Sequence, residues 1–200
     1  MSIPVPPAVP AAKRDEFFRE SYQYHAVRTA LEYFNVGRYA VHGRLLIAAN
    51  LLHHAVELLL KANHARGDGL EKIRKYGRRD VYGHSLAAAW QEFKRRIGDP
   101  TLDPFDRMVA ELDKWEDIRY PEKLLESGVI ASIALVDQPA ALVDGVVGAI
   151  PVYTLAMPEI DRLVKLLVEH SGINPEGFHL MFEDKHAGPY FTETNGSPLR

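Results

Sequence analysis

Four side chains suited to acid–base or phosphate chemistry are distributed over the middle of the chain. Glu57 and Lys61 are four residues apart, the spacing that lets a carboxylate and an ammonium group pair along one face of a helix. Their neighbours are mostly apolar, so the pair should be sheltered, and a sheltered carboxylate needs a partner to offset its lost hydration. His84 and Arg119 are the candidate partners, because each lies beside the end of another predicted helix.

These four residues have two interpretations, and the sequence leaves both open. In the structural one, Glu57 joins the ends of two other helices, with Arg119 as a bidentate partner and His84 donating a hydrogen bond. In the functional one, the four residues line a polar cleft that receives a phosphate group. Arg119 and Lys61 would then bind anionic oxygens while His84 transfers a proton.

The histidines of the same predicted helix raise the question of a metal site. His53 with Glu57 at i, i+4, or His54 with Glu57 at i, i+3, could face one ion, and His64 lies further along the helix. Adjacent residues of a helix point in different directions, so His53 and His54 are not expected to face the same ion, and no third ligand is evident. The sequence therefore predicts no metal and no other cofactor.

Composition narrows the remaining choices. The chain has no cysteine, which excludes disulfides and thiolate chemistry, and it lacks the Gly-rich phosphate loop, the nucleophile elbow and the dinucleotide fingerprint. A net charge of −3 gives no overall attraction to nucleic acid or to anionic membranes, so phosphate binding must be local. The basic segment 72–79 is the candidate, although such a run is more typical of a solvated linker. The lack of cysteine fits a cytoplasmic protein, and no continuous apolar run approaches a membrane span, so we also expect no membrane contact.

The elements that must position these residues are mainly helical. Apolar residues recur at three- and four-residue steps, and this pattern predicts five helices. Asn35-Val-Gly37 should end the first helix, Ser85 should cap the third, and Asp103 followed by Pro104 should begin the fourth. The predicted helices cover about residues 13–34, 39–66, 86–97, 104–115 and 157–171.

The sequence between the fourth and fifth helices is β-branched and has a hairpin signal at Asp144-Gly145, so it predicts a small β-hairpin insertion over about residues 129–153. The sequence predicts a single domain with a leader before it and a tail after it. Residues 1–12 contain four prolines and should form a flexible leader, residues 13–175 form the helical domain, and residues 176–200 should be an irregular tail.

Three segments together resemble the HEPN-domain family, over roughly residues 15–175. They are His54–Ala62 (HAVELLLKA), Tyr82–Leu86 (YGHSL) and Asp117–Glu122 (DIRYPE). The family is a group of small helical proteins that includes RNA-cleaving toxins and nucleotide-binding accessory domains. The resemblance implies a mainly α fold, an antiparallel bundle of about five helices.

Catalytic HEPN proteins have an Arg followed four to six residues later by His near the start of a late helix, and dimerisation brings two such pairs into one cleft. In this sequence Arg78 and Arg79 have that spacing to His84, but they lie between the second and third predicted helices. In the last helix, Arg162 and His170 are separated by seven residues. The family nuclease motif is thus not in its usual position.

The resemblance therefore implies a nucleotide- or RNA-binding accessory protein of a prokaryotic defence or toxin–antitoxin system. Such a protein would be a homodimer, an arrangement that the wide apolar surface of the second helix also favours, and its partner would be a nucleotidyltransferase-like protein. One alternative is a metal-independent ribonuclease that uses His84 with Arg78, Arg79 or Arg119. The other is a non-catalytic structural or interaction protein.

Overall fold

The computed structural model describes residues 11–68, 84–118, 128–135, 146–147 and 150–173, together with Glu122 and Glu126. Over these residues the protein is mainly helical, as the sequence predicts, and a small sheet precedes the last helix. The α-helices are α1 (Ala11–Ala40), α2 (Leu45–Gly67), α3 (Leu86–Ile97), α4 (Asp106–Lys114) and α5 (Met157–Ser171). Short 3-10 helices cover Pro100–Phe105 and Trp115–Ile118. The strands are β1 (Ile130–Ala134), β2 (Val146–Val147) and β3 (Ile150–Ala156).

Helix α2 is the centre of the core, with α1, α3 and α5 packed around it. Leu52, Val56, Leu59 and Leu60 are fully buried, as expected for a helix that is apolar around most of its circumference. By length and composition alone α2 could cross a membrane, although its apolar residues do not form one continuous run. More than half of its apolar stretch is buried by the rest of the chain, however. Within the described residues, α2 is therefore a mostly buried core helix.

The connection between α1 and α2 differs from the sequence prediction. Helix α1 does not end at Asn35-Val-Gly37 but continues to Ala40, and α2 begins at Leu45 rather than near Tyr39. Gly37 is buried against α2, where an added Cβ would lie only 3.1 Å from Leu52 Cγ. Gly37 therefore does not end the helix. Its lack of a side chain allows α1 and α2 to approach closely.

Caps determine the boundaries of α3, while the start of α4 differs from the prediction. The Ser85 side chain accepts a hydrogen bond of 3.2 Å from Ala88 N, as predicted, and Gly98 caps the other end of α3 with a φ of 69°. Asp103 is not a helix cap. Its carboxylate lies 2.6 Å from Lys94 Nζ, and Asp99 instead caps the 3-10 helix that precedes α4. The α-helix itself begins two residues later than predicted, at Asp106.

The sheet has the strand order β1-β3-β2, and only part of it is a hairpin. Strands β2 and β3 are antiparallel, but β1 pairs with β3 in parallel, from Ile130 opposite Val152 to Ala134 opposite Ala156. A local turn signal could not show the parallel pairing, which joins strands distant in sequence. The predicted turn at Asp144-Gly145 lies outside the described residues.

Helix α5 follows β3 directly and ends at Ser171, as predicted, and Gly172 caps it with a φ of 73°. Its apolar face packs against α2 as part of the core. Its Asp161 side chain accepts hydrogen bonds from Arg38 of α1, one of them 2.7 Å long. Of the predicted leader, Ala11 and Ala12 belong to α1. Residues 1–10 and 176–200 lie outside the described part of the chain.

Candidate functional site

A group of polar side chains surrounds the carboxylate of Glu57, and we call it the Glu57 cluster: His53, His54, Glu57, Lys61 and His84. Glu57 is only 4% exposed. Its Oε1 accepts a hydrogen bond from Lys61 Nζ and lies 3.2 Å from His84 Nδ1, while its Oε2 lies 3.0 Å from His54 Nδ1. The spacing of Glu57 and Lys61 on α2 thus gives the ion pair that the sequence predicts.

His84 reaches Glu57 because the chain immediately before α3 is held on two sides. Ser85 caps the helix, and Asp113 of α4 accepts a hydrogen bond of 2.6 Å from Leu86 N. The His84 side chain is nevertheless 68% exposed. Nδ1 therefore faces Glu57 while most of the side chain remains at the surface. The arrangement is an imidazole at the surface whose orientation is fixed by a buried carboxylate.

The Glu57 carboxylate is held in its charged form. Burial alone would raise its pKa, but hydrogen bonds from His54 and Lys61, together with the positive charge of Lys61, outweigh burial and lower the pKa to about 2. The same carboxylate affects its surroundings, since burial and the negative charge of Glu57 both raise the pKa of Tyr22. At neutral pH the cluster therefore contains an ionised carboxylate, and the Tyr22 hydroxyl beside it keeps its proton.

His53 is the most sheltered member of the cluster, at 1% exposure. Neither of its ring nitrogens has a hydrogen-bond partner among the described residues. Nδ1 lies 4.0 Å from Glu57 Oε2, and Nε2 lies 4.0 Å from Asp113 Oδ1. Burial lowers the pKa of His53, which favours the neutral imidazole. A neutral ring nitrogen can accept a hydrogen bond or bind a metal ion.

The histidines of α2 differ from the sequence expectation. His53 and His54 were not expected to face one point, yet they and Glu57 each offer a ligand atom, and these atoms all lie within 4.8 Å of one another. That expectation is wrong because Glu57 projects between the two histidines on the helix surface, so both rings can turn toward it. His64 lies elsewhere, with Nε2 at 3.0 Å from Ala89 O of α3.

Other predicted site residues fall outside this geometry. Arg78, Arg79 and Arg119 lie outside the described residues. Of the partners predicted for Glu57, the structure therefore places Lys61 and His84 next to it. On α5, His170 packs edge-on against Phe93, away from the cluster. The sequence did not point to Tyr22 or Asp113 as site residues, and no local signal marks Asp113, whose contacts with Leu86 and His53 depend on how α4 packs.

Comparison with known proteins does not extend these observations. No protein-family model, curated protein or solved structure matches this chain. What the protein does must therefore be inferred from the Glu57 cluster and from the sequence segments around it. The cluster offers a fixed, exposed imidazole beside a buried ion pair, an arrangement suited to binding a polar ligand or to moving a proton.

Proposed function

We propose that this protein is a HEPN-like RNA- or nucleotide-binding accessory protein of a prokaryotic defence or toxin–antitoxin system. It acts in the cytoplasm as a homodimer, together with a nucleotidyltransferase-like partner. The observation that carries the proposal is the His84 ring, which is exposed at the surface but held in place by buried Glu57. A ring so held can donate a hydrogen bond to a phosphate or contact a base with little loss of side-chain entropy.

The sequence immediately before His84 supplies the charge that phosphate binding needs. Residues 72–79 contain five Lys and Arg residues, and the last two are Arg78 and Arg79. Within the cluster, the charge of Lys61 is largely balanced by Glu57, so the basic segment and not Lys61 would provide most of the attraction. Because the whole chain carries a net charge of −3, this attraction is local and should direct RNA toward the His84 edge.

Fluorescence anisotropy with labelled single-stranded RNA, measured over a range of salt concentrations, tests the proposal. We expect binding that weakens with salt, because Arg and Lys release counterions from the phosphates they neutralise. The Arg78→Ala/Arg79→Ala variant should weaken binding and reduce the log–log salt slope by roughly 1.4, since each neutralised phosphate of a single strand contributes about 0.7. His84→Ala should weaken binding further when combined with it.

The matched control is Lys13→Ala/Arg14→Ala, which removes the same charge from an exposed part of α1. This control should bind RNA as the wild type does. Equal losses in both double variants would mean that binding is a nonspecific effect of charge. If neither labelled RNA nor free nucleotides bind at low salt, the RNA-binding function is wrong and a non-catalytic interaction protein is the better description.

A metal-independent ribonuclease is the second candidate function, and the geometry of His84 favours it. With Nδ1 directed at Glu57, Nε2 is the nitrogen that would take the proton from a ribose 2′-hydroxyl as that oxygen attacks the adjacent phosphorus. The bond from phosphorus to the 5′-oxygen would break, and the proton would be returned to this leaving oxygen. The negative charge on the phosphate would be stabilised by Arg78, Arg79 or Arg119.

The surface that would form the homodimer differs from the one suggested by the sequence. Much of α2 is buried within its own chain, and one group of exposed apolar residues flanks the α1–α2 connection. They include Val36, Tyr39, Leu46 and Ile47. Burying such residues against a second copy would remove them from water, and this gives the dimer its driving force.

Light scattering of the wild type should give the mass of a dimer, and Ile47→Asp should shift it toward the monomer, because the substitution would bury an unpaired charge at the interface. Ile97→Asp is the matched control, since Ile97 is also an exposed isoleucine but lies at the end of α3. A wild-type mass equal to that of one chain at high micromolar concentration would contradict the dimer. An equal effect of both variants would contradict the assignment of the interface to the surface around Ile47.

A further inference from the structure

His53 presents a problem that the RNA-binding proposal does not address. A buried polar group without a hydrogen-bond partner is costly, and buried polar side chains are nearly always satisfied. His53 is 1% exposed, and both of its ring nitrogens lack a partner among the described residues. The ring lies between two carboxylates, with Nδ1 toward Glu57 and Nε2 toward Asp113, at 4.0 Å in each case.

The surroundings of the ring have the composition of a transition-metal site. His53, His54 and Glu57 bring two imidazole nitrogens and a carboxylate oxygen within 4.8 Å of one another. The separation of His54 Nδ1 and Glu57 Oε2 is 3.0 Å. Zinc bonds of about 2.0–2.1 Å in a tetrahedral site place neighbouring ligand atoms roughly 3.3 Å apart, so modest rotation of the His53 ring would complete the set.

We propose that His53, His54 and Glu57 bind a divalent transition-metal ion of the zinc class. Two histidines and one carboxylate on one helix face are the donor types that Zn²⁺ accepts, and three protein ligands leave a fourth position. The His84 ring, at 3.2 Å from the other Glu57 oxygen, is the nearest further donor in the cluster. This inference goes beyond the RNA-binding proposal, which requires no metal.

The contacts around these residues support the site. Glu57 uses Oε1 for Lys61 and His84, so a metal bound by Oε2 and His54 Nδ1 would replace the hydrogen bond between those two atoms and leave the ion pair with Lys61 intact. Asp113 lies on the far side of His53, where a carboxylate would accept the remaining ring N–H and orient the imidazole toward the ion. Histidine ligands of metals commonly have such a partner. The metal would thus bind the one buried imidazole for which the described residues provide no hydrogen bond.

A Co²⁺ titration of tag-free protein, first stripped with a chelator, tests the site. We expect one ion per chain, visible absorption bands of nitrogen- and oxygen-bound Co²⁺, and their loss when Zn²⁺ displaces it. His54→Ala should abolish these bands. Asp113→Asn keeps an acceptor for Leu86 N but removes the charge beside His53, and it should weaken metal binding by about 10- to 100-fold. The control is His25→Ala, which removes an exposed histidine of α1 and should bind Co²⁺ as the wild type does.

The His54 variant decides the question, because His54 is partly exposed and its loss should not prevent folding. His53→Phe, which fills a similar volume without a donor, should also lose the bands, with thermal unfolding in chelator confirming that it is folded. Unchanged binding in His54→Ala, or an equal loss in His25→Ala, would overturn the proposal. So would the absence of stoichiometric binding. Binding of RNA by chelator-treated protein is measured separately, so failure of either proposal is distinguishable from failure of the other.

Discussion

Replacing Lys61 with Met should destabilise the protein by about 3 kcal/mol, because it removes the positive partner of a buried carboxylate. Glu57 and Lys61 have side chains that are nearly sealed from water, and Glu57 is held in its charged form. Methionine keeps the length of the apolar part of the lysine, so loss of packing contributes little. Urea unfolding at pH 7 measures the effect.

The double-mutant cycle with Glu57→Gln isolates the interaction from other effects of each change. The double variant Glu57→Gln/Lys61→Met should be much less destabilised than the sum of the single variants, because neither partner then leaves a buried charge behind. The matched control is the pair Arg28 and Glu32, which has the same i, i+4 spacing and a distance of 3.0 Å but is 44% and 51% exposed. Its coupling should not exceed about 0.5 kcal/mol.

The pH dependence of the same variants checks the mechanism. The pKa of Glu57 is 4.5 when unperturbed and about 2 in the folded protein, so its charge stabilises the fold above pH 4.5 and loses that effect as the pH falls toward 2. The difference between the wild type and Lys61→Met should therefore shrink at low pH. A small, pH-independent difference, equal to that of the exposed pair, would show that Glu57 is solvated and that the cluster does not support the fold.

Local sequence signals predicted the helices well but some of their ends poorly. The serine before α3 acts through a contact within a few residues, so its role could be predicted from the sequence, and the apolar pattern placed the ends of α3 and α5 correctly. Gly37 could not be interpreted in this way. Its role depends on the approach of Leu52 from a different helix, and the same residue type is typical of helix ends and of close helix packing.

In the candidate site too, contacts along one helix could be predicted from the sequence, whereas contacts that depend on helix packing could not. The Glu57 and Lys61 pair follows from spacing along one helix, and the choice of His84 as a partner relied on its position before α3. The convergence of His53 and His54 was missed because helical direction was considered without the rotation of the side chains around Glu57. Asp113 could not be assigned, since its two contacts require α4 to be placed against α2 and α3.

If the protein cleaves RNA, His84→Ala should reduce the rate by about two to four orders of magnitude, the usual contribution of a general acid or base. The reaction should proceed in excess EDTA, because His84 is oriented by Glu57 without the help of a metal. Single-turnover cleavage of a labelled single-stranded RNA measures the rate. His42→Ala, a change at an exposed histidine of the α1–α2 connection, should leave it unchanged.

Glu57→Gln distinguishes a catalytic His84 from one that only binds RNA. The amide can still contact Nδ1 but cannot stabilise the imidazolium that forms when Nε2 takes a proton, so the cleavage rate should fall while RNA affinity changes little. Full activity of His84→Ala would remove His84 from the reaction. Cleavage that stops in EDTA and returns with added Zn²⁺ would instead assign the chemistry to a metal ion at His53, His54 and Glu57, where a bound water would be the base.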